Sequence, residues 1–185
     1  KLKKLQYFIE SKHLSKLVFF YKCDISEPEN IKYFVSELSK KKIVFDCLIN
    51  NAGVILFKKS FNSRGLEKVF AINHLGSFYL TKLLLEKKLI HANGKIINVG
   101  SSAHQKASLD FDDLDSKKTR SWYTRYSRSK LCNLLFTCSL IIKSRETIID
   151  SVICGLPDNP NFVDSTLSFI TAPCLKKTSS AWLIT

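Results

Sequence analysis

Tyr126 and Lys130 stand four residues apart in the stretch SWYTRYSRSKLCNLLFTCSL, residues 121 to 140. On a helix, that spacing puts both side chains on one face. A lysine ammonium ~4 Å from a phenol attracts its phenolate by about 4 kcal/mol at an effective dielectric of ~20. Such an attraction draws a tyrosine from its usual pKa of ~10 toward proton exchange near neutral pH. The same spacing also arises in ordinary helices as an exposed aromatic beside a solvated cation, so its meaning depends on what supports it. Leu131, Leu134, Leu135, Cys138 and Ile142 recur at helical spacing and predict that the helix presses this stripe onto a sheet.

The supporting elements follow from the order of apolar runs and breakers. Residues 1 to 16 are lysine-rich with Leu2, Leu5, Phe8 and Ile9 at helical spacing, as at the end of an amphipathic helix. Leu17 to Tyr21 is a short β-rich run that predicts a buried strand leading to Asp24. Ser26, Pro28 and the acidic Glu27 and Glu29 mark a helix start with a serine cap, and the helix should run to about Lys41. A second strand is expected over residues 44 to 49, followed by Asn50-Asn51-Ala52-Gly53. A long helix after Gly65 should stop at His91-Ala92-Asn93-Gly94. Residues 95 to 99 predict a third strand ending near Gly100-Ser101-Ser102, and residues 148 to 154 a fourth. Strands of nearly continuous apolar character alternating with helices predict an α/β fold, a parallel sheet covered on both faces. In such sheets the ligand site lies beyond the carboxyl ends of the strands, where Asp24, Asn50 to Gly53, Ser102 and the start of the Tyr126 helix all fall.

Composition narrows the function classes. The chain has 185 residues, 45% of them hydrophobic, enough for one domain with a sizeable core. Its six cysteines form no C-x-x-C pair and mostly stand in apolar runs, which points to small buried hydrophobes in a reducing, intracellular compartment. No metal-ligating set is found; the aspartates of Phe111-Asp112-Asp113-Leu114-Asp115 are expected in a solvated loop. The net charge of +13 comes from scattered lysine clusters without a nucleic-acid motif or an aromatic platform, so solvated surface is expected and nucleic acid is not. No apolar run has the ~18 residues of a membrane span, and the lysine-rich start is not expected to act as a signal peptide.

Four segments together carry a family resemblance: LINNAGV at 48 to 54, INHLGSFYLTKLLL at 72 to 85, KIINVGSSAH at 95 to 104 and YSRSKLCNLLF at 126 to 136. In this order and spacing they resemble the short-chain dehydrogenases/reductases, within them the branch of retinol dehydrogenases and WW-domain-containing oxidoreductases. The resemblance covers residues 15 to 154, while 155 to 185 diverge. It implies a single Rossmann-like, doubly wound parallel sheet and an enzyme that uses NADP or NAD, with NADP slightly favoured. The reaction implied interconverts a hydrophobic alcohol and its aldehyde or ketone, such as a retinoid, steroid or lipid carbonyl. Tyr126 is then the general acid/base. Lys130 lowers its pKa and meets the nicotinamide ribose, Ser102 rather than Ser101 holds the substrate oxygen, and Asn73 holds a relay water. Asp24 would contact the adenine, and the backbone of Asn51, Ala52 and Gly53 the adenosine ribose; Asn50 is expected to have a structural role.

The same resemblance exposes departures. The chain has no methionine and no glycine before Gly53, hence no T-G-x-x-x-G-x-G loop for a pyrophosphate. A partial form is expected, lacking the first strand, the glycine-rich loop and the second strand, and truncated at the C-terminus. Gly155-Leu156-Pro157 replaces the family's P-G turn, and KKTSSAWLIT at the end is a weak echo of a family helix. The resemblance also implies a homo-oligomer built on the long helices and residence in the cytoplasm or on the cytosolic face of the endoplasmic reticulum. A non-catalytic fragment or splice form that acts as a binding or dimerising module is the alternative.

Overall fold

The computed structural model describes residues 20–143, 148–154 and 182–184. Its four strands are β1 (Phe45–Asn50), β2 (Ile90–Ser101), β3 (Ile148–Cys154) and β4 (Trp182–Ile184), in a sheet of order β3-β2-β1-β4 whose neighbours are all parallel. The helices are α1 (Pro28–Lys40), α2 (Lys68–Phe70), α3 (Ser77–Glu86) and α4 (Trp122–Lys143), with a π-helical segment, Ala71–Gly76, joining α2 to α3. The chain steps from β1 to β2 to β3 in one direction across the sheet. Right-handed crossovers therefore carry α2, α3 and α4 over the same face.

The core lies under that face. Ile31, Phe34, Val35 and Leu38 of α1 pack with Leu80 and Leu84 of α3 on Phe45, Leu48 and Ile96 of the sheet. Each such side chain contributes about 1.5–3 kcal/mol on burial. Cys47, Ile49, Ile97 and Val99 alternate with these residues along β1 and β2 and are buried too, so the central strands are covered on both faces, as their unbroken apolar character predicts.

Several boundaries differ from the sequence expectation, each for a local physical reason. Phe20 and Tyr21 lie in no strand and are exposed, while Leu17 to Phe19 lie outside the described residues. Ser26 does not cap α1. Its hydroxyl donates to Asp24 Oδ1 at 2.7 Å, and the cap position falls to Glu27, which makes no side-chain cap bond. Helix α3 ends at Glu86, before the expected stop. Lys88, at φ 54°, donates its amide to Leu85 O at 3.0 Å, and Leu89 donates to Leu84 O at 2.8 Å. This doubly bonded C-terminal motif stops the helix without its usual glycine. It recurs after α1, where Lys42 has φ 54° and Ile43 donates to Leu38 O at 3.1 Å.

His91 to Gly94, the expected helix stop, is instead an irregular part of β2, because pairing jumps from Phe45↔Ile90 to Cys47↔Lys95. A Cβ on Gly94 would stand 2.8 Å from His91 O, so that bend needs glycine. At the other end of the chain, Trp182–Ile184 pairs with β1 as a strand where a weak helical echo was expected. Trp-Leu-Ile is a good strand sequence once an open sheet edge is available to it.

The largest correction concerns α4. Leu135 and Cys138 are exposed and Ile142 is 83% exposed, whereas Ser129, Lys130, Asn133 and Thr137 are buried. The apolar stripe is turned outward at Leu135, Cys138 and Ile142 while Leu131 and Leu134 stay half-buried, and a polar stripe faces the sheet. Periodicity alone does not give the direction in which a helix is turned.

Candidate functional site

Helix α4 starts from a loop at the carboxyl edge of the sheet, where Ser121 Oγ accepts from Thr124 N at 3.2 Å and satisfies one first-turn amide. One turn further on, Tyr126 is half-buried and Lys130 is only 5% exposed. Lys130 Nζ donates to Val99 O of β2 at 2.9 Å and stands 5.8 Å from the centre of the Tyr126 ring. The expected shared face is present, and β2 holds the cation in place.

Asn73 joins this pair to the loop after β1. Its Oδ1 accepts from Val54 N at 2.7 Å, and its Nδ2 donates to Val54 O at 3.0 Å and to Ser129 Oγ at 3.1 Å. The Ser129 hydroxyl in turn donates to Tyr126 O at 2.7 Å. Asn73 lies in the π-helical segment, whose widened turn is a common feature of functional sites. Its own carbonyl accepts from Asn133 Nδ2 at 2.8 Å. A Cβ on Gly53 would stand 3.6 Å from Asn73 Oδ1 and 3.7 Å from Lys130 Nζ. The exposed Gly53 backbone thus lies against two buried polar groups of the site.

A chain of buried amides and hydroxyls supports this arrangement from below. Asn50 Nδ2 donates to Thr81 Oγ1 at 2.9 Å and to Asn98 Oδ1 at 2.8 Å, across the Asn50↔Asn98 register of β1 and β2. Asn98 Nδ2 donates to Thr137 Oγ1 at 2.9 Å, and Thr137 donates to Asn133 O at 2.8 Å. A single hydrogen-bonded line therefore links α3, both central strands and α4, which explains why the inward face of α4 is polar. Asn50 has the structural place expected of it. Above this line, a cavity of about 10 Å³, the size of one water, is bounded by Asn98, Gly100, His104, Lys130, Asn133, Leu134 and Thr137.

The remaining expected residues take looser places. Ser101 is buried and its hydroxyl accepts from Ala103 N at 3.3 Å, while Ser102 is half-buried at the start of the 3₁₀ turn Ser102–Lys106 that packs on α4. Asn51 is exposed, with its amide donating to Ile49 O at 3.1 Å; Ala52 is half-buried. Asp24 is exposed before α1 and accepts from the Ser26 hydroxyl and amide, which hold its carboxyl below the usual carboxylate range. The structure thus brings Gly53, Asn73, Tyr126 and Lys130 together, sets Ser102 on the adjoining turn, and leaves Asp24 and Asn51 at the rim.

Sequence reasoning missed several supports. Arg125, beside Tyr126, forms a fully buried ion pair with Glu67, their Nε and Oε1 standing 3.3 Å apart without an aligned hydrogen bond. Burial pushes the Glu67 carboxyl up, against the hydrogen bond from Phe70 N and the Arg125 charge. Asp113 is buried, not solvated: it accepts from Lys118 N at 2.9 Å and pairs with Arg128 at 3.7 Å, fastening the acidic loop to α4. The available signal was polarity in apolar settings, as with Asn98 inside KIINV.

Comparison with known proteins agrees with this geometry. The model of the short chain dehydrogenase family matches residues 2–112, more than half of the chain. Human retinol dehydrogenase 12 is 39% identical over 123 residues, 66% of this chain and 39% of that one. Human polyprenol dehydrogenase is 37% identical over 136 residues, 71% of this chain and 41% of that one. A crystal structure of an uncharacterised protein from Mycobacterium paratuberculosis superposes with a TM-score of 0.66 at 29% identity, covering 78% of this chain and 53% of that one. The chain spans about two fifths of the length of these curated relatives. With its parallel sheet, its tyrosine and lysine on one helix face and this extent of match, the chain belongs to the short-chain dehydrogenase family.

Proposed function

We propose that this chain carries the acid/base half of an NAD(P)-dependent oxidoreductase that interconverts a hydrophobic alcohol and its aldehyde or ketone. The observation that carries the reading is the Tyr126–Lys130 pair: a half-buried phenol beside a buried ammonium held by Val99 O at 2.9 Å. The ammonium favours the phenolate, so Tyr126 can give a proton to a carbonyl oxygen or take one from an alcohol. A bound nicotinamide cofactor supplies or accepts the hydride at carbon. The residues present fit such a cofactor along one side, since the exposed Gly53 backbone runs beside Lys130 with no side chain of its own.

Ser102 is the second hydroxyl for the substrate oxygen, because Ser101 already caps the following turn. Asn73 has its side chain committed to Val54 and Ser129. Its part in the site is therefore to hold the β1 loop against α4, and a relay water fits the cavity behind Lys130 better. Asp24 at the rim takes the adenine end, with Asn51 beside the adenosine ribose. Human relatives named as retinol and polyprenol dehydrogenases support an apolar alcohol as substrate class. Four described cysteines without disulfides fit a reducing compartment such as the cytoplasm or the cytosolic face of the endoplasmic reticulum. Among the described residues no helix is long and apolar enough to cross a membrane.

The test is titration of the chain with NADPH and NADH, followed by fluorescence, and then assay with apolar aldehydes. Saturable cofactor binding that is lost in Lys130→Ala, with aldehyde-dependent NADPH oxidation, is the expected result. A folded chain that binds neither cofactor would overturn it. The outward apolar face of α3 and α4, with Phe78, Leu135 and Ile142 exposed, favours a second copy of the chain as partner. Self-association without cofactor binding would favour the alternative of a non-catalytic dimerising module.

A further inference from the structure

Arg125 is 1% exposed and binds three pieces of the chain at once. Its Nη1 donates to Arg120 O at 2.9 Å, its Nη2 to Leu56 O at 2.7 Å and Phe57 O at 3.1 Å, and its Nε lies 3.3 Å from Glu67 Oε1. Glu67 Oε2 in turn accepts from Phe70 N at 3.0 Å and caps α2. A buried ion pair of this kind is often no more stabilising than apolar residues of the same volume. What it supplies is a fixed arrangement: the loop after β1 is pinned, by two successive carbonyls, to the first turn of α4.

The pinned loop presents Phe57, whose ring is 71% exposed and meets Trp122 edge-on at 5.1 Å and 65°. Trp122 itself meets Tyr123 at 5.7 Å and 89°. Trp122 precedes Tyr126 by four residues, so the two share a helix face about 6 Å apart along the axis. Three aromatic rings in successive edge-on contact thus form a face one turn from the phenol. Exposed aromatic surface in such a place, rigid and beside a polar reacting group, has the make-up of a recognition surface.

We propose that Phe57 and Trp122 form the wall that receives the apolar chain of the substrate, and that the Arg125–Glu67 pair is the positioning device holding this wall one helical turn from Tyr126. The occupant is the hydrocarbon part of a primary alcohol or aldehyde whose oxygen lies at Tyr126, so the inference rests on the dehydrogenase reading for the identity of the reacting end. It adds the direction in which the rest of the substrate runs and the residues that grade its length.

The experiment uses the full chain carrying Trp182→Phe, which leaves Trp122 as the single tryptophan reporter. Hexanol, decanol and dodecanol are titrated against its fluorescence, and NADPH binding is measured separately by energy transfer. The expected affinity gain is about four-fold per methylene that the wall covers. Phe57→Ala, a surface change that leaves the ion pair intact, should cut that gain by more than half, and Phe57→Leu should restore most of it. Arg125→Lys should flatten the length dependence likewise and weaken the near-ultraviolet dichroism of Trp122, with far-ultraviolet dichroism unchanged. A length dependence absent from the reference chain, or equal in the reference chain and Phe57→Ala, overturns the proposal. Length-dependent binding that Phe57→Ala removes, in a chain that binds no NADPH, upholds the wall and removes the dehydrogenase reading instead.

Discussion

Tyr126 is the residue on which the proposed chemistry depends, and its removal gives the most direct test at this scale. Tyr126→Phe keeps the ring and deletes the proton; turnover of an apolar aldehyde should fall by about 10²–10⁴-fold while NADPH affinity stays within two-fold, as measured by steady-state kinetics beside a binding titration. A fall in affinity of the same size would assign the tyrosine to binding. His74 offers a second residue-level prediction, about stability. It lies among Phe70, Phe78 and Phe136, with ring centres 5.3, 6.0 and 6.4 Å away, and its Nδ1 pairs with Asn133 Oδ1 at 3.0 Å. Desolvation holds its pKa below the usual 6.5, with the Asn133 bond pulling the other way. A depressed base folds best when neutral, so its contribution is complete above pH 6.5 and is lost as pH falls from there through the folded-state value. Unfolding free energies from denaturant titrations between pH 8 and 5 should fall less steeply for His74→Gln than for the parent chain, by at most about 1.4 kcal/mol per pH unit. Identical slopes would show that the ring binds its proton equally well in the folded and the unfolded chain, with no depression.

At the scale of elements, the π-helical segment and the helix ends bear the strain of the fold. Gly76 closes the π segment, and a Cβ there would stand 2.5 Å from Ile25 O, a backbone atom with nowhere to move. Gly76→Ala should therefore lower stability by about 1–3 kcal/mol and displace the Asp24–Ser26 turn from the site, both measurable by denaturant unfolding and by amide exchange at Ser26. Lys88 lies at φ 54° in the motif that ends α3, a conformation glycine adopts without a Cβ clash. Lys88→Gly should raise stability by about 0.5–1 kcal/mol, where the same change in a helix interior would lower it; a loss in denaturant midpoint would contradict this account of the helix end. The buried line from Thr81 through Asn50, Asn98 and Thr137 explains why α3 and α4 hold a fixed distance across the two central strands.

At the scale of the whole molecule, the described residues leave an outward apolar face on the long helices. Leu135 is 47% and Ile142 83% exposed on α4, beside Phe78 of α3. A net charge of +13 opposes nonspecific association, and this face offers self-association a local apolar contact. Sedimentation should show a dimer for the parent chain and a monomer for Leu135→Lys with Ile142→Lys, at unchanged helix content. A parent chain that sediments as a monomer at all concentrations would remove the oligomer from the proposal.

How much of this was legible in the residues follows from the range of the interactions concerned. The Tyr126–Lys130 pair, the strands over residues 45–50 and 148–154 and the start of α1 at Pro28 are local matters. A four-residue spacing and an apolar run carry them without reference to the rest of the chain, and the parallel sheet follows from their alternation. The short-chain dehydrogenase family followed from the same local motifs taken in order. Tertiary structure decided the rest. Whether the Leu135–Ile142 stripe or the Ser129–Thr137 stripe of α4 faces inward depends on what the sheet presents, and Asn98 presents an amide. The end of α3 depends on Leu89 packing back, the place of Trp182–Ile184 on an open edge beside β1, and the Arg125–Glu67 pair on two segments 58 residues apart meeting in the interior. Each of these is a contact between distant parts of the chain, and no periodicity within one part encodes it.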